Sequence, residues 1–106
     1  MTDGALARHF EAAGHWERCF HYAQRAGEQA QRLEAPRSAV EHYSRALNAA
    51  EQLGRPAPLA LLQARGQCYE LLGDFGAAQS DWEAVLAGTE RSDNPHSHWQ
   101  ALLNLG

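Results

Sequence analysis

The chain has 106 residues, 44% of them hydrophobic, so it can bury one core but not two. Its formal net charge is −4, with arginine and acidic residues interspersed along the whole sequence, and the lack of a basic stripe argues against nucleic acid as a direct partner. Because all nine basic residues are arginine, the sequence excludes a lysine-containing phosphate-binding loop, a Schiff-base lysine and a pyridoxal anchor.

The sequence also bears on where the protein resides. No apolar run approaches the roughly 20 residues that span a bilayer, and no secretory leader opens the chain. We therefore expect a cytoplasmic protein that does not associate with membranes. Cys19 and Cys68 occupy helical positions that suit a small apolar residue, so we expect both thiols to be reduced and structural.

Three helices are predicted in the first half of the chain. The first places Leu6, Phe10 and Ala13 on one face and ends at Gly14. A second helix, of about 19 residues, continues through Gly27 because the residues around that glycine are good helix formers. Its apolar stripe is Trp16, Cys19, Ala23, Ala26, Ala30 and Leu33. The third helix begins near Pro36, and its expected buried stripe is Val40, Tyr43, Leu47, Ala50 and Leu53.

Three further helices are predicted in the second half. A turn from Gly54 to Pro58 leads into the fourth helix, which Gly73 ends. Asp74 is the expected cap of a fifth helix, and a last loop is expected from Gly88 to Asn94. Pro95 then lies in the first turn of a sixth helix. The residues expected to face inward are Leu59, Leu62, Gly66, Tyr69 and Leu72 in the fourth helix and Phe75, Ala78, Trp82, Val85 and Leu86 in the fifth.

The sequence repeats itself at a displacement of 39 residues, which is the distance from Leu33 to Leu72. Leu33, Glu34, Pro36, Ala39, Tyr43 and Ala46 fall, one for one, on Leu72, Gly73, Phe75, Ala78, Trp82 and Val85. Gly27 falls on Gly66 at the same displacement, while Gly66 and Leu62 fall on Gly106 and Leu102 when the displacement is one position longer. No stretch alternates like a β-strand, so the period indicates an all-α array of stacked hairpins that bury their apolar stripes against one another.

Residues 59 to 86 resemble the tetratricopeptide repeat family. The match comprises a small residue and an aromatic in one helix, a Gly-Asp-aromatic turn, and a small residue and an aromatic in the next helix. Its members are Leu62, Gly66, Tyr69, Gly73, Asp74, Phe75, Ala78, Trp82 and Val85. Weaker matches occur in residues 23 to 52, through Gly27, Ala39, Tyr43 and Ala46, and in the first hairpin, through Phe10, Gly14, Trp16 and Cys19.

The resemblance implies an α-α superhelix, a right-handed solenoid of antiparallel helix pairs with about six helices. It covers residues 1–106 as a single domain, with a hairpin at 3–33, repeats at 23–53 and 56–90, and the start of a further repeat at 94–106. We expect this domain to be a fragment of a longer array. The length of the repeat and the sequence from Ala5 to Leu53 resemble the sensor arrays of large bacterial signalling proteins.

Two functions are compatible with this resemblance. The first is protein–protein interaction or scaffolding within a regulatory protein, with a protein or peptide partner. The alternative is a small-molecule-sensing helical pocket that modulates an attached output domain. We expect neither a cofactor nor an enzymatic activity.

The resemblance also places a candidate binding surface. In tetratricopeptide arrays the concave face is lined by outward positions of the first helix of each pair. Here those positions are Gln24, Glu28, Gln31, Arg32, Gln63, Gln67 and Glu70. Glutamines and acids at such positions are equally compatible with ordinary solvated helix faces. The clamp that this family uses for a terminal carboxylate needs lysines, and this chain has none.

Other candidate sites are weaker. His96 and His98 have metal-like spacing, but no cysteine or acid pattern completes a ligand set. The neighbours His42 and Tyr43, like Ser80 and Asp81, point in different directions on a helix, so we expect no catalytic site there. The tryptophans at positions 16, 82 and 99 are expected to be packing residues.

The end of the sequence predicts self-association. The sixth helix carries Trp99, Leu102, Leu103 and Leu105, and its partner helix is not in the sequence. An uncovered apolar stripe of this kind favours pairing with another copy of the chain.

Overall fold

In the computed structural model of the protein, the described residues are 2–92, and they form five α-helices. The helices are α1 (Asp3–Ala12), α2 (Trp16–Arg32), α3 (Pro36–Gln52), α4 (Leu59–Leu71) and α5 (Phe75–Ser92). No β-strand occurs in this part of the chain. The prediction of an all-α fold is therefore confirmed for residues 2–92. The predicted sixth helix lies outside the described residues.

The helices pack in chain order. Each helix contacts the next one along the chain, and α1 also contacts α3. Short connections at residues 13–15, 33–35 and 72–74 join helices that lie side by side, and the longer segment 53–58 joins α3 to α4. Neighbours in sequence are therefore neighbours in space.

Four of the helices end with the same backbone turn. The residue that closes it has a positive φ in each case: Gly14 (74°), Glu34 (55°), Gly54 (70°) and Gly73 (79°). The next residue then donates its N–H to a carbonyl five residues earlier, as Asp74 does to Tyr69 at 2.9 Å. This pairing satisfies carbonyls that a helix end would otherwise leave without partners. Gly14 and Gly73 end their helices as predicted.

Other predicted boundaries are confirmed as well. Gly27 lies inside α2, and Pro36 is the first residue of α3. Asp74 precedes α5, and its Oδ1 accepts the N–H of Ala77 at 3.2 Å. This is the hydrogen bond of an N-terminal cap.

The loop predicted from Gly88 is wrong for residues 88–92, because α5 continues to Ser92. Gly88 serves close packing instead of a turn. A β-carbon at this position would lie 2.4 Å from Cδ2 of Leu59, so the missing side chain lets α5 approach the start of α4. Residues 93 and 94 of the predicted loop lie outside the described part of the chain.

The buried side chains form two clusters. The first cluster joins α1, α2, α3 and α4 through Ala7, Ala23, Ala30, Ala39, Tyr43, Ala46, Leu61 and Cys68. The second cluster joins α4 and α5 through Leu62, Ala78, Trp82 and Val85. Leu47 of α3 packs against both clusters, so the core is continuous from α1 to α5.

Several residues expected to face inward are exposed instead. Leu33 is 71% exposed, Phe75 68% and Leu72 37%. All three lie at helix ends beside a tight turn, beyond the stretch in which the two helices of a pair cover each other. Ala13 is exposed because α1 ends before it, and the buried residue of that helix is Ala7.

Candidate functional site

The seven candidate residues of the binding surface lie on α2 and α4, which meet in the first cluster. Ala30 of α2 and Cys68 of α4 both belong to that cluster. Gln31 of α2 also acts on Cys68 of α4, because hydrogen bonding from its side chain lowers the pKa of the thiol against the larger effect of burial. The structure therefore brings the two candidate helices together near Gln31.

Five of the candidates present a polar surface. Glu28, Arg32 and Gln67 are exposed, whereas Gln24 and Gln63 are half-buried. Nε2 of Gln24 lies 3.4 Å from Oε1 of Glu28 and donates a hydrogen bond to it. We call Gln24, Glu28, Gln63 and Gln67 the glutamine face.

The other two candidates are hydrogen bonded to buried aromatic residues. The Tyr43 hydroxyl donates to Oε1 of Gln31 at 2.5 Å. Nε1 of Trp82 donates to Oε1 of Glu70 at 2.7 Å. Tyr43 and Trp82 are each 1% exposed, so both polar atoms need a partner inside the protein.

A glycine completes each of these contacts. A β-carbon on Gly27 would lie 2.6 Å from Cε1 of Tyr43, and one on Gly66 would lie 3.2 Å from Cε2 of Trp82. We call Gly27, Gln31 and Tyr43 the first anchor. We call Gly66, Glu70 and Trp82 the second anchor. Each member of the second follows its counterpart in the first at the displacement of the sequence repeat, so the repeat recurs in space as a repeated contact.

The environment of Tyr43 keeps its hydroxyl protonated. Burial raises the pKa of Tyr43 to about 12, and the Glu28 carboxylate and Cys68 add to this effect, while Arg32 opposes it. The hydroxyl therefore remains a hydrogen-bond donor to Gln31 at neutral pH.

A partly buried ion pair, which the sequence did not predict, links α3, α4 and α5. Nε and Nη2 of Arg65 donate to the two carboxylate oxygens of Asp81 at 2.8 and 2.6 Å, and Nη1 donates to Ser44 Oγ at 3.1 Å. Hydrogen bonding to Asp81 raises the pKa of Arg65 against the effect of burial. A signal was available in the sequence, because Asp81 lies three residues after Ala78 and so beside the buried stripe of α5.

Arg65 also lines a groove between α3 and α4. The groove has a volume of 470 Å³, and its polar walls include Ser44, Asn48, Glu51 and Arg55. Both signs of charge occur in these walls. The Arg65 guanidinium is already paired with Asp81, which leaves it little capacity to recognise an anion.

Two polar groups on the α1 side of α3 lack hydrogen-bond partners among the described residues. They are Nδ1 of His42 and Nη1 of Arg45, and both atoms are buried. The His42 ring lies under the start of α1, where a β-carbon on Gly4 would be 2.8 Å from its Cε1. Burial lowers the pKa of His42, and the neighbouring Arg45 and Arg8 act in the same direction against Glu41.

The structure also locates the other residues singled out in the sequence. Both cysteines are free and buried, and burial raises the pKa of each thiol. Trp82 is a packing residue, as predicted, and Trp16 is half-buried. Among residues 2–92 no three His, Cys, Asp or Glu side chains lie close enough together to hold a metal ion. His96, His98 and Trp99 lie outside the described residues.

None of the five described helices has the length and apolar character needed to cross a membrane. No family model, curated protein or solved structure gave a significant match to this chain.

Proposed function

We propose that this chain is a protein-interaction module of the tetratricopeptide repeat type. The observation that carries the proposal is the recurrence, at the displacement of the sequence repeat, of an anchor made of a glycine, a side-chain acceptor and a buried aromatic donor. A repeated contact of this kind lets successive hairpins stack in the same way. Stacked hairpins form extended surfaces, which suit a protein or peptide partner.

The glutamine face is the surface that we assign to this partner. Glutamine side chains both donate and accept hydrogen bonds, so they can pair with the main chain of an extended peptide. Glu28 adds an exposed negative charge, which favours a partner with arginine or lysine near the contact. We place the module in the cytoplasm, as the regulatory or scaffolding part of a larger bacterial signalling protein without catalytic activity of its own.

A small-molecule sensor is the alternative function, and it calls for a different surface. Such a site is concave and mostly apolar, with a few converging polar groups. Glu28, Arg32 and Gln67 are exposed polar residues. This exposure favours the interaction module over the sensor.

Screening a peptide library against the full chain, with a matched pair of variants, tests the proposal. The double variant Gln24→Ala/Glu28→Ala removes one hydrogen-bonded Gln–Glu pair from the glutamine face. The matched control Gln79→Ala/Glu83→Ala removes the same kind of pair from α5, where Nε2 of Gln79 lies 3.1 Å from Oε1 of Glu83. We expect the first variant to lose at least about tenfold in affinity for the selected peptides and the control to bind like the parent. Equal losses in both variants, or in neither, would contradict the assignment of this face.

A further inference from the structure

Little apolar contact attaches α1 to the rest of the protein. Within residues 3–12 the buried residue is Ala7, whereas α2 and α3 each bury five residues. Leu6 and Phe10 are half-buried, and Phe10 stacks on Tyr22 of α2. Because the burial of apolar surface is the main contribution that holds a helix in place, α1 is held less firmly than α2 or α3.

Ion pairs supply much of the remaining contact between α1 and its neighbours. The pairs are Asp3–Arg25 (3.5 Å) to α2 and Arg8–Glu41 (3.8 Å) and Glu11–Arg45 (3.4 Å) to α3. Arg8 and Arg25 are more than half exposed, so water and salt screen the first two pairs. These contacts orient α1 but contribute little to its attachment.

The ring of His42 lies directly beneath α1. A β-carbon on Gly4 would be 2.8 Å from its Cε1, so no water fits between the ring and the helix at this contact. Nδ1 of His42 and Nη1 of Arg45 are buried without hydrogen-bond partners among the described residues. Both atoms would gain water as a partner if α1 moved away. A groove of 270 Å³ beside this contact shows that α1, α2 and α3 pack incompletely here.

The environment of His42 opposes its protonation while α1 is in place. The charged groups at the interface are Asp3, Arg8 and Glu11 from α1, Arg25 from α2, and Glu41 and Arg45 from α3. Burial has the largest effect and lowers the pKa of His42. Arg45 and Arg8 lower it further, and Glu41 acts in the opposite direction. Departure of α1 would hydrate the ring and remove Arg8, so the uncovered imidazole would bind a proton more tightly than the covered one.

We propose that α1 is a pH-sensitive element of the fold, which detaches from α2 and α3 when His42 is protonated while α2 to α5 stay packed. The packing of α2 on α3, α3 on α4 and α4 on α5 does not involve α1. Arginine and carboxylate side chains keep their charges between pH 5 and pH 7, so histidine is the group at this interface that titrates in that range. Detachment would expose the part of the first cluster that Ala7 covers. The proposal is independent of the glutamine face, because α1 carries none of its residues.

The two buried cysteines can report on this detachment in the parent chain. Burial raises the pKa of the Cys19 thiol, Glu11 of α1 adds to this effect and Arg45 opposes it. Cys19 therefore lies beside the Glu11–Arg45 pair, where we expect α1 to shield it. Cys68 of α4 is also buried, and the side chain that hydrogen bonds to it is Gln31 of α2. It reports on opening of the core away from α1.

Thiol labelling of the full chain, with a pyridyl disulfide reagent that reacts in mild acid, tests the proposal. Peptide mass spectrometry separates the two sites, and each rate is divided by the rate of the same thiol in the urea-unfolded chain at the same pH. We expect this normalised rate to rise about fivefold at Cys19 from pH 7 to pH 5 and to stay constant at Cys68. His42→Gln should abolish the rise, and the matched control His21→Gln, at an exposed position of α2, should keep it.

Three outcomes would overturn the proposal. Equal rises at both cysteines would mean that acid opens the whole core and not α1 alone. A Cys19 rate that does not change with pH would mean that α1 stays in place when His42 is protonated. A full rise at Cys19 in folded His42→Gln would assign the effect to another group. The comparison of Cys19 with Cys68 in the parent chain decides the first two points even if His42→Gln does not fold.

Discussion

At the scale of single residues, the buried polar groups fall into two classes, those with a hydrogen-bond partner among the described residues and those without one. Tyr43 and Trp82 each donate to a side chain on the preceding helix, whereas Nδ1 of His42 and Nη1 of Arg45 have no partner among the described residues. A satisfied buried donor fixes the orientation of its ring, and an unsatisfied one costs stability. We therefore expect substitution of the Tyr43 hydroxyl to cost stability, and mild acid to act on stability through His42.

The hydroxyl of Tyr43 should contribute measurably to stability. Tyr43→Phe leaves Oε1 of Gln31 without its buried donor, and we expect a loss of about 1–2 kcal/mol in the free energy of unfolding measured with urea. Tyr22→Phe is the matched control, because Tyr22 is half-buried and stacks on Phe10 at 5.6 Å between ring centroids. A control loss as large as that of Tyr43→Phe would show that the hydrogen bond is not the cause.

His42 should make the protein less stable in mild acid. Its pKa is lowered in the folded protein, so the unfolded chain binds the proton more tightly and the free energy of unfolding falls as the pH drops below about 6.5. Arg45 and Arg8 strengthen this effect, and Glu41 weakens it. Well above about pH 6.5, the ordinary pKa of histidine, both states are neutral at this residue and its contribution is constant.

Urea denaturation between pH 5 and pH 7 checks this expectation for the His42→Gln variant. In this variant the free energy of unfolding should depend less on pH than in the parent. The control His21→Gln, at an exposed position of α2, should keep the pH dependence of the parent. Parallel pH profiles for the parent and His42→Gln would rule out His42 as the origin.

At the scale of the helices, the same turn closes α1 to α4, but only three of the four turns have the residue best suited to it. Glu34 has a φ of 55°, where the other three turns have glycine. A side chain with a β-carbon is disfavoured in this left-handed conformation, and glycine is not. The second turn is thus the least favourable of the set.

Glu34→Gly should therefore stabilise the protein. We expect a gain of about 1 kcal/mol in the free energy of unfolding, because the strain relieved exceeds the added flexibility of glycine in the unfolded chain. Gly73→Ala is the reciprocal change at the equivalent turn and should destabilise by a similar amount. Thermal unfolding measures both, and a Glu34→Gly variant with a lower melting temperature would contradict the expectation.

The glycines inside helices should differ according to their neighbours. Gly27→Ala would push a β-carbon to 2.6 Å from the Tyr43 ring, so we expect a loss of about 1–3 kcal/mol in spite of the better helix propensity of alanine. Gly66→Ala meets the Trp82 ring at 3.2 Å and should be milder. Gly76→Ala meets no atom within 4 Å and should be neutral or stabilising. Equal effects at Gly27 and Gly76 in urea denaturation would argue against the close packing of the first anchor.

Local rules predicted most helix boundaries, because boundaries depend on nearby residues. Turn and cap residues end or begin helices at the predicted positions. They are Gly14, Pro36, Gly73 and Asp74. The prediction that Gly88 begins a loop was wrong because its role depends on packing against Leu59 of α4. Rules based on neighbouring residues in the sequence do not detect a contact between two helices.

The candidate surface was less predictable for the same reason. The resemblance to tetratricopeptide repeats placed Gln31 and Glu70 on the same surface as Gln24 and Gln67. Their hydrogen bonds to Tyr43 and Trp82 depend on how helices pack across the repeat. The ion pair of Arg65 and Asp81 likewise joins residues on different helices.

At the scale of the whole molecule, the contacts form a chain in which each helix meets the next. Leu47, which packs against both clusters, and Ser44, which accepts from Arg65, are the links on α3 between the two halves. The Arg65–Asp81 pair joins α4 to α5, and Ser44 joins this pair to α3. Gln31 and Glu70 lie three residues after Glu28 and Gln67 of the glutamine face, and they accept the hydrogen bonds of the buried aromatic rings.

The chemistry of the glutamine face predicts which peptides it rejects. A clamp for a terminal carboxylate needs cationic groups, and the face offers Gln24, Glu28, Gln63 and Gln67, of which one is negatively charged and the others are neutral. Arg32 is exposed on α2, but a single exposed arginine contributes little to the binding of an exposed carboxylate. We therefore expect no measurable affinity in calorimetry for an acidic peptide with a free C-terminal carboxylate, and no change when that terminus is amidated. Saturable binding in the micromolar range that amidation abolishes would show that the surface carries an anion site, and the assignment of a neutral to acidic face to the partner would then fail.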